Sequence, residues 1–119
     1  MEQTIVCKFG GSSLADAAQF RKVAEIIKED PKRRYIVASA PGKRKAADTK
    51  ITDLLYRSAA LAEEGKDAEE PLTLIRKRYD EIASDLGVSF DTEAEILTLR
   101  EALSGDVEKE YLASRGEYI

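Results

Sequence analysis

The chain has 119 residues, 43% of them hydrophobic and 35% charged, which fits one globular domain or part of one and excludes a disordered polymer. A net charge of -4 argues against a broad basic surface for duplex nucleic acid, and no apolar run approaches the ~18 residues needed to span a membrane. With one cysteine and no histidine, the chain forms no intrachain disulfide and does its chemistry without imidazole, which removes His-based triads and His-containing zinc sites together.

In chain order, residues 3–9 read as a buried strand that ends in Lys8-Phe9-Gly10-Gly11-Ser12-Ser13. Cys7, inside that strand, reads as a packed core residue rather than a nucleophile. Asp16 with Gln19 makes a capping-box start for a helix carrying Phe20, Val23, Ala24 and Ile27 at helical spacing. Residues 34–39 read as a second strand. Strand, helix, strand in these lengths predicts a right-handed parallel crossover, with the glycine turn and Ser39 side by side at the carboxyl edge of the sheet.

Ala40-Pro41-Gly42 then marks a turn, and a polar loop runs to about Thr49. Everything later reads as helix. Ile51, Leu54, Leu55, Ser58 and Leu61–Ala62 give one apolar stripe; Ile75, Tyr79, Ile82 and Leu86 give another, with Pro71 near its start and Gly87 past its end. A further helix begins near Thr92, with Glu95 completing a capping box, carries Ile96, Leu99 and Leu103, and stops at Gly105. The last runs from about Asp106 with Val107, Tyr111 and Leu112. Tyr56, Tyr79, Tyr111 and Tyr118 fall on helical patterns as core-edge residues.

Two consecutive glycines at a strand end let the backbone approach an anion and turn N–H groups toward it, while Lys8 supplies a point charge. This is neither a P-loop nor a dinucleotide fingerprint. Gly42-Lys43 is preceded by Val37 where the first glycine belongs and followed by Arg44 where Ser or Thr belongs, and Ser12 stands where the second glycine of a dinucleotide turn should be. Ser39 taken alone reads equally as a loop residue or a ligand; the neighbouring glycine turn tips it toward ligand. Residues 41–50 carry Lys43, Arg44, Lys45 and Lys50 against Asp48, a net +3 that can steer anions, and the loop is expected to be loosely held. Thr49 reads as a helix cap, Thr52 is open between a first-turn residue and a ligand, and Glu117 reads locally as a surface acid.

Together, Lys8-Phe9-Gly10-Gly11-Ser12-Ser13, Val37-Ala38-Ser39-Ala40-Pro41-Gly42-Lys43, Asp48 through Tyr56 and Ser114-Arg115-Gly116-Glu117 resemble the aspartokinases of the amino-acid kinase family. The resemblance implies the N-terminal portion of a three-layer α/β catalytic domain, with residues 1–119 holding a parallel βαβ unit followed by several helices and no regulatory ACT domain. It implies phosphorylation of the L-aspartate β-carboxylate to 4-phospho-L-aspartate, the first step toward lysine, threonine and methionine, with ATP and Mg2+ as cofactors and no metal ligand among the residues matched. Lys8 would be the catalytic cation, Lys8, Phe9, Gly10, Gly11 and Ser12 the phosphate-binding segment, and Ser39, Thr52 and Glu117 the substrate contacts. A cytoplasmic homo-oligomer is expected, with the chain by itself an inactive fragment. A non-catalytic ligand-binding or regulatory module stays open as an alternative, and glutamate and acetylglutamate kinases as relatives within the class.

Overall fold

The computed structural model describes residues 3–105 and 109–119. Strand β1, Ile5–Phe9, leads through a short 3-10 turn at Gly11–Leu14 into helix α1, Ala17–Glu29, and the chain returns as strand β2, Arg33–Ala38. The strands pair in parallel, with Lys8 opposite Val37 and Phe9 opposite Ala38. The crossover expected from the sequence is therefore present, and its helix starts where predicted: the Asp16 carboxylate accepts the Gln19 N–H at 3.0 Å. Phe9, Leu14 and Val23 form a small core under this helix, with Cys7 packed at its edge.

Four helices follow among the described residues: α2, Ile51–Glu63; α3, Glu69–Leu86; α4, Thr92–Leu103; and α5, Lys109–Tyr118. Helix α2 packs against α3 and α5, α4 packs on α3, and α1 also rests on α3. Their predicted stripes converge on a second, larger core that includes Ile51, Leu55, Leu72, Ile75, Ile96 and Leu99. Each such side chain contributes about 1.5–3 kcal/mol when fully buried, so the helical half carries most of the stability. Helix α3 stops because Gly87 takes φ +70, sending its N–H to Ser84 O and that of Val88 to Ala83 O. Helix α4 begins at Thr92, as expected, but its cap is Asp91 rather than Thr92, the Asp91 carboxylate accepting the Ala94 N–H at 3.0 Å. Asp106 and Val107, the expected beginning of the last helix, lie outside the described residues.

One expectation fails at the sheet. Residues 3–9 read as buried, yet Val6, Tyr35 and Val37 are 66%, 64% and 51% exposed, and only Phe9 in β1 is buried. Alternation explains part of it: Cys7 and Phe9 pack into the core under α1, whereas Val6 and Lys8 with their neighbours Tyr35 and Val37 face the other side, which no described element covers. The radius of gyration, 15.8 Å, exceeds the about 13.5 Å of a compact chain this long, consistent with a sheet covered on one face only.

Candidate phosphate and carboxylate cleft

Both strands run out at the same edge, and the connections leaving them lie backbone against backbone. Ser39 N–H donates to Phe9 O at 3.0 Å and Gly42 N–H to Gly11 O at 2.8 Å. A side chain at Gly42 has no room: a Cβ there would stand 2.7 Å from the Gly11 carbonyl carbon and 2.9 Å from Ser12 N. At Gly11 it would stand 3.0 Å from Ala40 O. Gly10 differs, since it has an ordinary extended backbone at φ -76 and an added Cβ would meet nothing within 4 Å. Its missing side chain leaves space on the open side rather than permitting a turn.

These connections and the first turn of α2 enclose a cleft of about 530 Å³. Gly11, Ser12, Ser39 and Thr52 line it, joined by Lys43 and Lys50, with Asp53 as the acid of the set. The structure thus brings together four of the residues singled out from the sequence and adds two lysines that sequence reading had treated as part of a diffuse basic loop. No side chain caps α2; Lys50 occupies the cap position and Pro41 O accepts the Ile51 N–H at 3.2 Å. The positive end of the helix therefore reaches the cleft with no side-chain cap on its N–H groups, while its first turn brings the Thr52 hydroxyl and the Asp53 carboxylate to the lining. Thr49, expected as that cap, instead presents its carbonyl to Arg78.

The remaining predicted residues lie around this cleft. Lys8 is exposed on the uncovered sheet face and does not line the cleft. The Phe9 ring belongs to the core under α1, which leaves its backbone as its link to the site. Glu117, in the last turn of α5, is exposed and lines a second, mostly apolar cavity of about 240 Å³. Ser39 lines both cavities and links Glu117 to the cleft. The Tyr79 hydroxyl donates to Gly116 O at 2.8 Å, holding the turn beside Glu117, and burial pushes that phenol up. Gly116 is needed for close packing, with a Cβ falling 3.0 Å from Ala40 Cβ.

The basic loop is pinned rather than loose. Arg44 donates from its backbone N–H, Nε and Nη2 to Asp48 and from Nη1 to Glu81. These bonds hold the Asp48 carboxyl well below the usual carboxylate range, against the opposing effect of burial. Arg44 is thereby removed from the loop's free charge, and Lys43 and Lys50 are the loop cations in the cleft lining.

Arg78, which sequence reading passed over, is 6% exposed on the apolar stripe of α3. Its guanidinium donates to Ala15 O at 2.9 Å, Gly42 O at 2.7 Å and Thr49 O at 3.3 Å. Burial pulls its pKa down from the ordinary value, the Arg44 charge adds to this, and Asp48 opposes it. The signal was present: a charged residue between Ile75 and Ile82, where the helical period calls for an apolar one.

Among the described residues, no group of three or more His, Cys, Asp or Glu side chains gathers to hold a metal ion. Nor is any described helix long and apolar enough to cross a membrane.

Comparison with known proteins agrees with this architecture. Aspartokinase 3 of Bacillus subtilis (strain 168) is 48% identical over 81 residues, covering 68% of this chain and 18% of its own length. The crystal structure of Clostridium acetobutylicum aspartate kinase matches 98% of the chain with a TM-score of 0.93 and 44% identity, using 27% of that protein. Escherichia coli aspartokinase III, solved with aspartate and ADP, matches 98% of the chain with a TM-score of 0.73 and 30% identity, using 26% of its own chain. The chain thus spans between a sixth and about a quarter of the relatives it matches. The model of the amino acid kinase family matches residues 3–117, and the chain belongs to that family.

Proposed function

We propose that residues 1–119 form part of an aspartate kinase catalytic domain, transferring the γ-phosphoryl group of ATP to the β-carboxylate of L-aspartate. The observation that carries this reading is the closure of the Gly10–Ser12 turn on the Ser39–Gly42 connection beside the first turn of α2, which sets backbone amides, three hydroxyls and two lysines around one cleft. The relatives support the choice of substrate, since E. coli aspartokinase III is solved with aspartate and ADP. The setting would be cytoplasmic, in the first step toward lysine, threonine and methionine, in a homo-oligomer.

The cradle would take polyphosphate: Lys43 and Lys50 line its wall, and the two connections that shape it approach so closely at Gly11 and Gly42 that neither leaves room for a Cβ. Among the described residues, carboxylates do not gather here to hold magnesium.

In the reaction, an oxygen of the aspartate β-carboxylate bonds to the γ-phosphorus as the bond to the β,γ-bridging oxygen breaks, and that electron pair leaves with ADP. A carboxylate of pKa ~3.9 is already ionised at neutral pH, so no general base is needed and the lack of histidine costs nothing. The protein's task is alignment and charge neutralisation. By the family resemblance Lys8, which stands at the end of β1 outside the cleft lining, would offset charge on the phosphoryl group, with Gly10, Gly11 and Ser12 offering donors from the turn. Ser39 and Thr52 would hold the aspartate, and Glu117 would face its ammonium group.

Replacing the matched segment of the C. acetobutylicum enzyme with residues 1–119 tests the reading. Incubated with MgATP, aspartate and hydroxylamine, this hybrid is expected to yield aspartyl hydroxamate above the background of its Lys8→Met version. The chain on its own, spanning 27% of that relative, is expected to yield none. A folded hybrid that makes no aspartyl hydroxamate overturns the proposal.

A further inference from the structure

We infer that Arg78 is the positioning residue of the cleft, setting the spacing of the glycine turn, the Ser39–Gly42 connection and the first turn of α2 through one guanidinium. Ala15 follows the turn that begins at Gly11, Gly42 lies against Gly11, and Thr49 immediately precedes the α2 cap. These three acceptors are 63, 36 and 29 residues away from Arg78 in sequence.

Stability does not account for an arginine there. The position lies on a buried stripe where leucine or methionine would pack, and burying a charge carries a penalty that a hydrophobic replacement avoids. Its counter-ion is 3.9 Å away, and that carboxylate, Asp48, is already bonded to Arg44. The Arg78 Nε is buried without a partner. What the guanidinium does supply is a rigid planar fork whose donors lie at fixed angles, so carbonyls bonded to it are fixed relative to one another. Ser39, Gly42 and Thr52 then inherit that spacing through the backbone, and phosphoryl transfer between two bound substrates is sensitive to shifts of about 1 Å.

The kinetic half of this inference rests on the kinase reading; the structural half does not. Amide hydrogen exchange of the 119-residue chain therefore comes first, comparing the parent with Arg78→Lys, which keeps the charge and stem but loses the fork. The Ser39, Gly42 and Ile51 amides, which bond across the connections, are expected to exchange about 10-fold faster or more. Amides of Leu55, Leu72 and Leu99 are expected to change less than about threefold. A uniform rise at all sites, or none at any, overturns the inference. If Arg78→Lys does not fold, Arg78→Met is read the same way, and failure of both to fold overturns it by making Arg78 an element of the core.

In the hybrid enzyme, Arg78→Lys is expected to lower kcat about 10²-fold while KM for aspartate stays within about threefold; a fall in kcat below threefold overturns the kinetic half. A hybrid that is inactive with Arg78 intact removes the kinase reading and leaves the exchange result standing. An active hybrid with unchanged exchange removes this inference alone.

Discussion

Replacing Gly42 with alanine adds one methyl group at the tightest backbone approach beside the cleft. The new Cβ would lie 2.7 Å from the Gly11 carbonyl carbon, 2.9 Å from its oxygen and 2.9 Å from Ser12 N. Comfortable carbon contacts are about 3.5–4.0 Å, so the two connections must part by close to an ångström. All three close atoms are backbone, and no side chain can rotate to relieve them. Overpacking of this kind costs about 1–3 kcal/mol. The parting also strains the 2.8 Å bond from Gly42 N–H to Gly11 O, which adds about 1 kcal/mol if lost. A total of about 2–4 kcal/mol lowers Tm by roughly 10–20 °C in a domain of this size. Gly10→Ala is the control: with φ -76 and open space around the added Cβ, it should move Tm by no more than about 2 °C. Circular dichroism melting of the parent and the two variants decides the matter. A Gly42→Ala chain that melts with the parent would refute the close approach on which the cleft geometry depends.

Three further outcomes are expected. Asp48 has a depressed pKa in the folded chain, so its contribution to stability is present above the unfolded value of about 3.9 and is lost as pH falls below it; urea midpoints followed from pH 7 to pH 2 should fall less for Asp48→Asn than for the parent, and parallel curves would contradict the pairing with Arg44. In the hybrid enzyme, Lys8→Met should slow turnover about 10²-fold or more with little change in aspartate KM, since its charge matters most as charge redistributes; near-normal turnover in a coupled ADP-release assay would remove Lys8 from the mechanism. Tyr79→Phe leaves the buried Gly116 carbonyl without its donor and should cost about 1–3 kcal/mol in urea unfolding, a change below about 0.5 kcal/mol counting against that bond.

Helix positions were legible because the information is local. The stripes on α2, α3 and α4 repeat at the helical period, and Asp16 opens α1 and Gly87 closes α3 through bonds to residues about one turn away. The parallel pairing was also legible, since the handedness rule leaves one arrangement for strand, helix, strand. Burial of the sheet was not. An apolar run such as Thr4-Ile5-Val6-Cys7 states what a strand can bury, whereas what covers it depends on elements elsewhere; here α1 covers the Cys7 and Phe9 side and nothing described covers Val6, Tyr35 and Val37.

The cleft divides along the same line. Gly11 and Ser12 stand out because they interrupt a strand, and Ser39 follows from them once the strands are parallel neighbours. Thr52 and Glu117 entered through resemblance, because a threonine in a first turn and an acid on a helix carry no local mark of a ligand. Gly42 and Arg78 were visible as oddities, a glycine in a loop and a charge on an apolar stripe, but their meaning lies in atoms that a residue pattern does not spell: Gly11 O, Ala15 O and Thr49 O. A cleft whose walls are held by backbone acceptors shows its ligand-facing side chains in the sequence and conceals its braces. Loss of such a brace should then disturb alignment before it disturbs affinity, because the groups that touch the substrates remain in the chain while the distances between them do not.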